Sequence, residues 1–550
     1  MQSRIGVLFA VFMLLLAAAA ARTLYLGVLH GGALRRVAHT QQVTDETVPA
    51  QRGTITDRNG TVLAISEPAQ DISATPYLVK DPLGAARSLA PLLGRSQARV
   101  LSELSERSGF VYLARALPAA RAKAVLALKI PGVAGTPTMR RVYPRGALAG
   151  QVLGMMGAAG MGVSGLEYAD NAILEGHAGE RRVVSDALGQ PISIADVHSE
   201  VPGARVQLTL DANIQQRSEA VLNAVGRVFH PRDATAIVMD PNTGAVLAMA
   251  NWPQLNPNKA EVLSEAELEN RAVSFDYEPG STFKAFTVSA ALQEGLIAPN
   301  TEFFIPNQIQ VADRTIHDAE EHGEEMLTTA QILARSSNVG AIKIGLLEKA
   351  PRFNAWVHRF GFGARTGLGL QGEEIGQVLP LSHYSGSSMG NLPIGQGESV
   401  TPIQMASAYA AIANGGVLRP PQIVGAVDGR PVRLPRGRRV ISASTAGQVR
   451  EMLRGVLAPG GTASEVSVPG YQLAGKTGTA SKIDPLTGKY SETAYIASFM
   501  GFAPAADPKL LCAVIVDEPQ TGSIFGGTVA APAFGQIMAF ALPYLGIPPG

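Results

Sequence analysis

The chain has a single cysteine, Cys512, among 550 residues. No intrachain disulfide can form, so cysteine usage is silent about redox compartment. Charge is scarce too: charged residues make up 17% and the net charge is +1. That balance gives no electrostatic reason to expect a nucleic-acid or acidic partner. The short basic stretch at 433–439 reads as a surface loop. Residues 46–200 contain no paired acids, metal cluster or phosphate loop.

What is present is apolar and rich in turns. Hydrophobic residues reach 46%, with 59 glycines and 36 prolines, enough for a sizeable core and long loops in two or three domains. One apolar run stands at the amino end, over residues 5–21, and resumes after Arg22 to residue 29. It exceeds the roughly 20 residues that span a bilayer. Alanines at 17–21 also offer a cleavage site, but the run outlasts a signal-peptide core of about 7–15 residues. An uncleaved single-pass membrane anchor is expected over residues 1–30, with Arg4 on the cytoplasmic side and a tail of about four residues there. Either reading puts the bulk of the chain outside the cytoplasm.

A linker at 31–45 leads to a segment at 46–200. There Gln51 to Ala64 predicts two short strands about an Asp57-Arg58-Asn59-Gly60 turn. Helices are expected at 81–93 and 114–128. The arginines and acids around Arg141 to Gly146 and Gly162 to Glu167 read as buried structural ion pairs. The segment is expected to be an α+β pedestal or interaction domain. At 201–230, a linking strand at 204–210 ends on Asp211, which can cap a helix at 212–228.

Residues 231–545 form the third segment. Strand-like runs at 234–240 and 245–250 flank a turn, and three more occur at 472–482, 494–501 and 510–516. Five antiparallel strands in one sheet, split two and three by a largely helical insert and flanked by helices, make an α+β fold. A closing helix at 529–545 packs on the sheet.

Three stretches carry chemistry. In Pro279-Gly280-Ser281-Thr282-Phe283-Lys284, a glycine or serine caps an apolar helix at 282–294, and Lys284 shares the helix face of Ser281. A buried lysine is costly as a cation, so it can accept a proton from Ser281. Ser336-Ser337-Asn338 lies between helical runs and offers a hydroxyl for proton relay and an amide for a substrate peptide group. Lys476-Thr477-Gly478-Thr479 sits on a strand. Gly478 lets a substrate backbone approach, Lys476 supplies positive charge, and Thr477 and Thr479 can bind a carboxylate. The Thr479 N–H is a candidate oxyanion donor. The run His317-Asp318 with Glu320-Glu321-His322 reads as a solvated loop, and no metal site is expected.

Together these motifs resemble the penicilloyl-serine transferase superfamily, and over nearly the whole chain class B penicillin-binding proteins. Asn270-Arg271-Ala272, Ser399-Val400-Thr401-Pro402-Ile403-Gln404 and Gly526-Gly527-Thr528 fit further signatures. The stretch Ala497 to Pro504, with Val516-Asp517-Glu518-Pro519, is more similar to the division branch than to the elongation branch. Gln396-Gly397-Glu398 departs from the pattern, standing where an aromatic and a leucine are expected.

The resemblance implies a D,D-transpeptidase in septal cell-wall synthesis. Ser281 would be the nucleophile, Lys284 its proton acceptor, and Ser336, Asn338 and Lys476 catalytic partners. Peptidoglycan stem peptides and β-lactams would be ligands, and a membrane glycan polymerase and division-complex proteins partners. No cofactor is implied. A β-lactamase shares the three motifs but would lack anchor and pedestal. The motifs are also compatible with a D,D-carboxypeptidase, an elongation-type transpeptidase or a non-catalytic β-lactam sensor.

Overall fold

The structure is a computed structural model describing residues 2–26, 43–157, 160–186, 191–259, 263–433 and 436–549. The last part of the expected anchor at 27–29, residues 31–42 of the expected linker, and residues 434–435 of the basic loop lie outside the described residues. The helix Gln2–Leu24 contains a 21-residue stretch, Arg4–Leu24, long and apolar enough to cross a membrane. At 1.5 Å per residue that stretch spans about 31 Å, close to the thickness of a hydrocarbon core.

The chain divides into two compact units. The first gathers residues up to Arg52, Ser66–Arg140 and Glu175–Gly203. It holds a three-stranded antiparallel sheet, Val43–Val48 against Gly179–Ser185 against Pro191–His198. Exposed ion pairs cross its strands, Arg182 to Asp45 and Arg181 to Asp196, each at 2.8 Å. A separate core of Ile72, Leu89, Val100, Leu113 and Val125 lies beneath the helices Pro82–Leu93, Gln97–Leu104 and Ala119–Ala127. The helix expected at 114–128 is therefore shorter, and Val111–Pro118 is a strand. The alanines and leucines there favour a helix locally, but Ala114 and Leu117 pair with Ile72 and Gln70 of a neighbouring strand, and that pairing overrides propensity.

The second unit gathers Gly53–Ile65, Arg141–Leu174 and the chain from Ala204 onward. The Asp57 turn belongs to it for a local reason. Asp57 Oδ2 accepts the Ala212 N–H at 3.1 Å, and Asn59 Nδ2 donates to Asp211 Oδ2 at 2.9 Å. The turn thus joins Asp211 in satisfying the free amides at the start of the helix Ala212–Phe229 (α1). Arg141 and Glu167 form a buried ion pair at 2.7 Å, as expected for this segment.

The labelled elements then follow in order: strands Asp233–Met239 (β1) and Val246–Trp252 (β2), and helices Lys284–Gln293 (α2), Thr329–Arg335 (α3), Asn338–Arg359 (α4), Pro402–Ala413 (α5) and Ala443–Arg454 (α6). Strands Ala474–Ile483 (β3), Tyr490–Ala503 (β4) and Leu510–Asp517 (β5) and helix Gly526–Tyr544 (α7) complete the chain. The sheet has the order β2-β1-β5-β4-β3 and is antiparallel throughout. This is the expected five-stranded sheet with its two-plus-three split.

Both faces of the sheet are covered. Ala236 and Val238 of β1 join a core with α1 and α7, while Ile237 and Met239 join the core of the helical insert. Strands β1 and β5 are buried along their whole length, so they read as continuous apolar runs. Strand β3 remains at the edge.

Candidate active site

The nucleophile candidate sits on a short, tightly fastened turn. Residues Gly280–Phe283 form a 3-10 turn, and α2 starts only at Lys284. The helix expected to begin at 282 is thus preceded by one tighter turn, and Ser281 makes no capping bond. Gly280 adopts φ 52°, where a glycine carries no steric penalty. Its N–H donates to Gly395 O at 2.9 Å. Thr282 Oγ1 donates to Pro279 O at 2.7 Å, and the Tyr409 hydroxyl donates to Thr282 O at 2.6 Å. These bonds leave Ser281 partly exposed on a rigid base.

Helix α2 is buried along almost its whole length, which forces Lys284 into the interior at 0% exposure. Its Nζ donates to Ser336 O at 2.5 Å and Asn338 Oδ1 at 2.7 Å, and lies 3.3 Å from Ser336 Oγ. Burial pushes Lys284 down to about 7, opposed by the charge of the Asp318 carboxylate. A neutral amine has two hydrogens and one lone pair. The two carbonyl oxygens can only accept, so they take both hydrogens. The lone pair is left for a hydroxyl.

Ser336 ends α3 in the left-handed region, φ 62°. That conformation aims its carbonyl at Lys284. Asn338, first residue of α4, is engaged at both ends of its amide: Oδ1 by Lys284 and Nδ2 by His317 O at 2.8 Å.

Strand β3 brings the third stretch. A Cβ added to Gly280 would lie 3.0 Å from the Ala480 Cβ and 3.4 Å from Thr479 O, so the strand runs directly against the turn. The room left by Gly478 is taken by Thr282 Cγ2 and Ser498 Oγ, each closer than 3 Å to a Cβ built there. Packing of the turn is thus one reason for a glycine at 478. Lys476 is fully buried and held well below the usual lysine range, first by burial and then by the charge of Lys284. Two amines so placed cannot both carry a proton cheaply. Thr477 Oγ1 pairs with Thr462 Oγ1 at 2.6 Å, and Thr479 Oγ1 accepts the Gly526 N–H at 3.1 Å.

Reading the sequence missed several supports of this site. Thr462 and Tyr409 lie far along the chain and carry no local signal, while Gly526, noted only within a family signature, turns out to donate to Thr479. Asp318, taken as part of a solvated loop, accepts hydrogen bonds from Ser337 and Val339. Among the described residues no group of three or more His, Cys, Asp or Glu side chains is placed to hold a metal.

The site lies within a stretch matched by a family model. Residues 234–539 match the penicillin binding protein transpeptidase domain, and residues 47–208 match the penicillin-binding protein dimerisation domain. The chain belongs to the penicillin-binding protein family. It is 37% identical to the penicillin-binding protein PbpB of Mycobacterium tuberculosis, over 98% of this chain and 84% of that one. It is 33% identical to the peptidoglycan D,D-transpeptidase FtsI of Escherichia coli, over 99% and 92%. A crystal structure of penicillin-binding protein 3 from M. tuberculosis, complexed with aztreonam, superposes with a TM-score of 0.73 at 33% identity, covering 92% of this chain and 98% of that one. These relatives bear out the expected class B, division-type assignment, and the chain is a transpeptidase.

At Glu398 the chain departs from the pattern expected of the family, and the departure is buried. Glu398 is 2% exposed, and neither of its carboxyl oxygens has a hydrogen-bond partner among the described residues. Neighbouring Gly397 N–H and the Tyr490 hydroxyl both donate to Glu278 Oε1, at 3.0 and 3.3 Å. Burial, then the nearby Glu278 charge, push Glu398 up to about 8 from 4.5. Between those values the folded state keeps a proton that the unfolded chain releases, so this group costs stability as pH rises from 5 to 8. The variant E398Q cannot ionise. Its stability relative to the parent is expected to improve by on the order of 3 kcal/mol between pH 5 and pH 8 in denaturant titrations. A difference that stays constant with pH would show that Glu398 titrates normally.

Proposed function

We propose that Ser281 Oγ attacks the carbonyl carbon of the penultimate D-alanine of a peptidoglycan stem while Lys284 Nζ takes its proton. The tetrahedral oxyanion then collapses. The peptide C–N bond breaks, and the departing D-alanine nitrogen receives a proton passed through Ser336 and Lys476. The resulting Ser281 ester is attacked by an amine of a neighbouring stem, which forms the cross-linking amide and frees the Ser281 hydroxyl. Asn338 orients Lys284 and the bound peptide. Thr477 and Thr479 receive the substrate carboxylate, and the edge strand β3 pairs with the stem backbone.

The observation that carries this reading is the hydrogen bonding of buried Lys284 to Ser336 and Asn338, one helical turn from Ser281. The Gln2–Leu24 helix serves as a single-pass anchor with the remainder outside the cytoplasm, where peptidoglycan lies. A membrane glycan polymerase and other division proteins are the proposed partners, since the chain contributes cross-linking chemistry and needs polymerised strands. β-Lactams acylate Ser281 and remain there.

The test is product analysis with a peptide ending in D-alanyl-D-alanine, with and without a glycine-type amine acceptor. Amide product that grows with acceptor concentration, together with a persistent labelled-penicillin adduct, is expected. Hydrolysis alone would indicate a carboxypeptidase, and rapid release of the penicillin a β-lactamase.

A further inference from the structure

Asp318 lies outside all three motifs, yet it is bonded to the middle residue of the second, Ser337, and to Val339 just after it. Its Oδ1 accepts the Val339 N–H at 2.9 Å, and its Oδ2 accepts the Ser337 hydroxyl at 2.7 Å. Ser337 Oγ in turn accepts the Gly340 N–H at 2.9 Å, so the first turn of α4 hangs from this one carboxylate. The adjacent His317 carbonyl accepts from Asn338 Nδ2 at 2.8 Å. The loop around Asp318 therefore holds residues 337, 338 and 339 together.

Two features make this more than a helix cap. First, Ser336 is held in the left-handed region, which a non-glycine residue keeps only when its surroundings hold it there. The Lys284 contacts run to Ser336 O and Asn338 Oδ1, the two residues whose placement depends on that turn. Second, the Asp318 side chain is 9% exposed, and its negative charge is felt at Lys284. Coulomb interactions across a poorly solvated path are weakly screened.

We propose that Asp318 is a positioning residue for acylation, fixing the Ser336–Asn338 turn beneath Lys284 and setting the field in which Lys284 exchanges its proton. The proposal rests on the reading of Lys284 as the acceptor of the Ser281 proton. His322 extends the device toward solvent: its Nε2 lies 3.0 Å from Asp318 Oδ2, and its Nδ1 3.6 Å from Glu325, which pairs with Arg335 at 2.7 Å. A protonated His322 offsets part of the Asp318 charge. Among the described residues Lys476 is a further titratable group close to Lys284, and burial and the Lys284 charge both disfavour its cationic form.

The signs at Lys284 are opposite for the two partners. An anion stabilises the ammonium form, so removing the Asp318 charge makes Lys284 easier to deprotonate. Removing the His322 charge leaves Asp318 uncompensated and makes Lys284 harder to deprotonate. The test is the second-order rate of acylation by a fluorescent penicillin from pH 5.5 to 9, for the full chain and for D318N and H322Q. In D318N the plateau is expected to fall roughly tenfold to a hundredfold from loss of alignment, and the acid limb to move to lower pH. In H322Q the acid limb is expected to move to higher pH.

An unshifted limb in D318N, with only the plateau lowered, would reduce Asp318 to a structural cap and overturn the proposal. If D318N does not fold, an unshifted limb in H322Q overturns it. A parent enzyme with no acid limb would instead sink the Lys284 reading, so the two failures are told apart.

Discussion

The variant S281A is expected to form no covalent adduct with penicillin, even after hours at saturating drug, while keeping the unfolding transition of the parent. Both halves follow from the same geometry. Among the described residues Ser281 Oγ makes no hydrogen bond, and its turn is fastened through Gly280, Thr282 and their backbone partners. Deleting the hydroxyl removes no hydrogen bond among the described residues, and a partly exposed surface change typically costs less than about 0.5 kcal/mol. Chemically the loss is complete, because an acyl-serine needs the serine oxygen. Intact-protein mass spectrometry reads the result directly. The parent gains the mass of one drug molecule, and S281A gains none. An adduct of that mass on S281A would place the nucleophile elsewhere and would falsify the assignment.

How far this site was legible in the sequence depends on the distance over which each signal acts. Ser281 and Lys284 are neighbours on one turn, so their pairing follows from spacing, and the apolar helix after them implies that Lys284 is buried. The β-branched residues flanking Gly478 mark a strand. The two-plus-three division of the sheet follows from runs of apolar residues separated by turns. What fails to show locally is convergence. Asp318 looks like one acid in a polar loop, because its partners Ser337 and Val339 lie 19 and 21 residues later.

Glu398 posed a related problem. Its sequence position flagged a departure from the family, but only the fold shows that it lies buried and unpartnered near Glu278. Helix α2 starts two residues later than expected for a similar reason. The bond from Gly280 to Gly395 that holds the turn comes from a loop more than a hundred residues away. Local propensity cannot anticipate it.

The second large effect concerns the base. K284M keeps a long apolar side chain in a buried slot and removes the side-chain nitrogen. Acylation by penicillin is expected to fall by about a thousandfold, within the roughly 100- to 10,000-fold range of general-base contributions. The size can be checked against proton occupancy. A lysine near 10.5 would be neutral in about one molecule in 3,000 at pH 7, whereas burial at 0% exposure brings Lys284 to about 7 and makes roughly half of the molecules competent.

The parent rate should therefore rise with pH and reach half its plateau near pH 7. Below that value Lys284 carries the proton and has no lone pair to offer. In K284M the residual rate should lose this limb. Retention of the limb would name a different base, and Lys476 is the amine close enough to compete, since the Lys284 charge is felt there. The same profile measured in K476M then separates the two. If Lys284 starts the proton transfer, K476M keeps the limb near pH 7 and lowers the plateau. If Lys476 starts it, K476M loses the limb and K284M retains it.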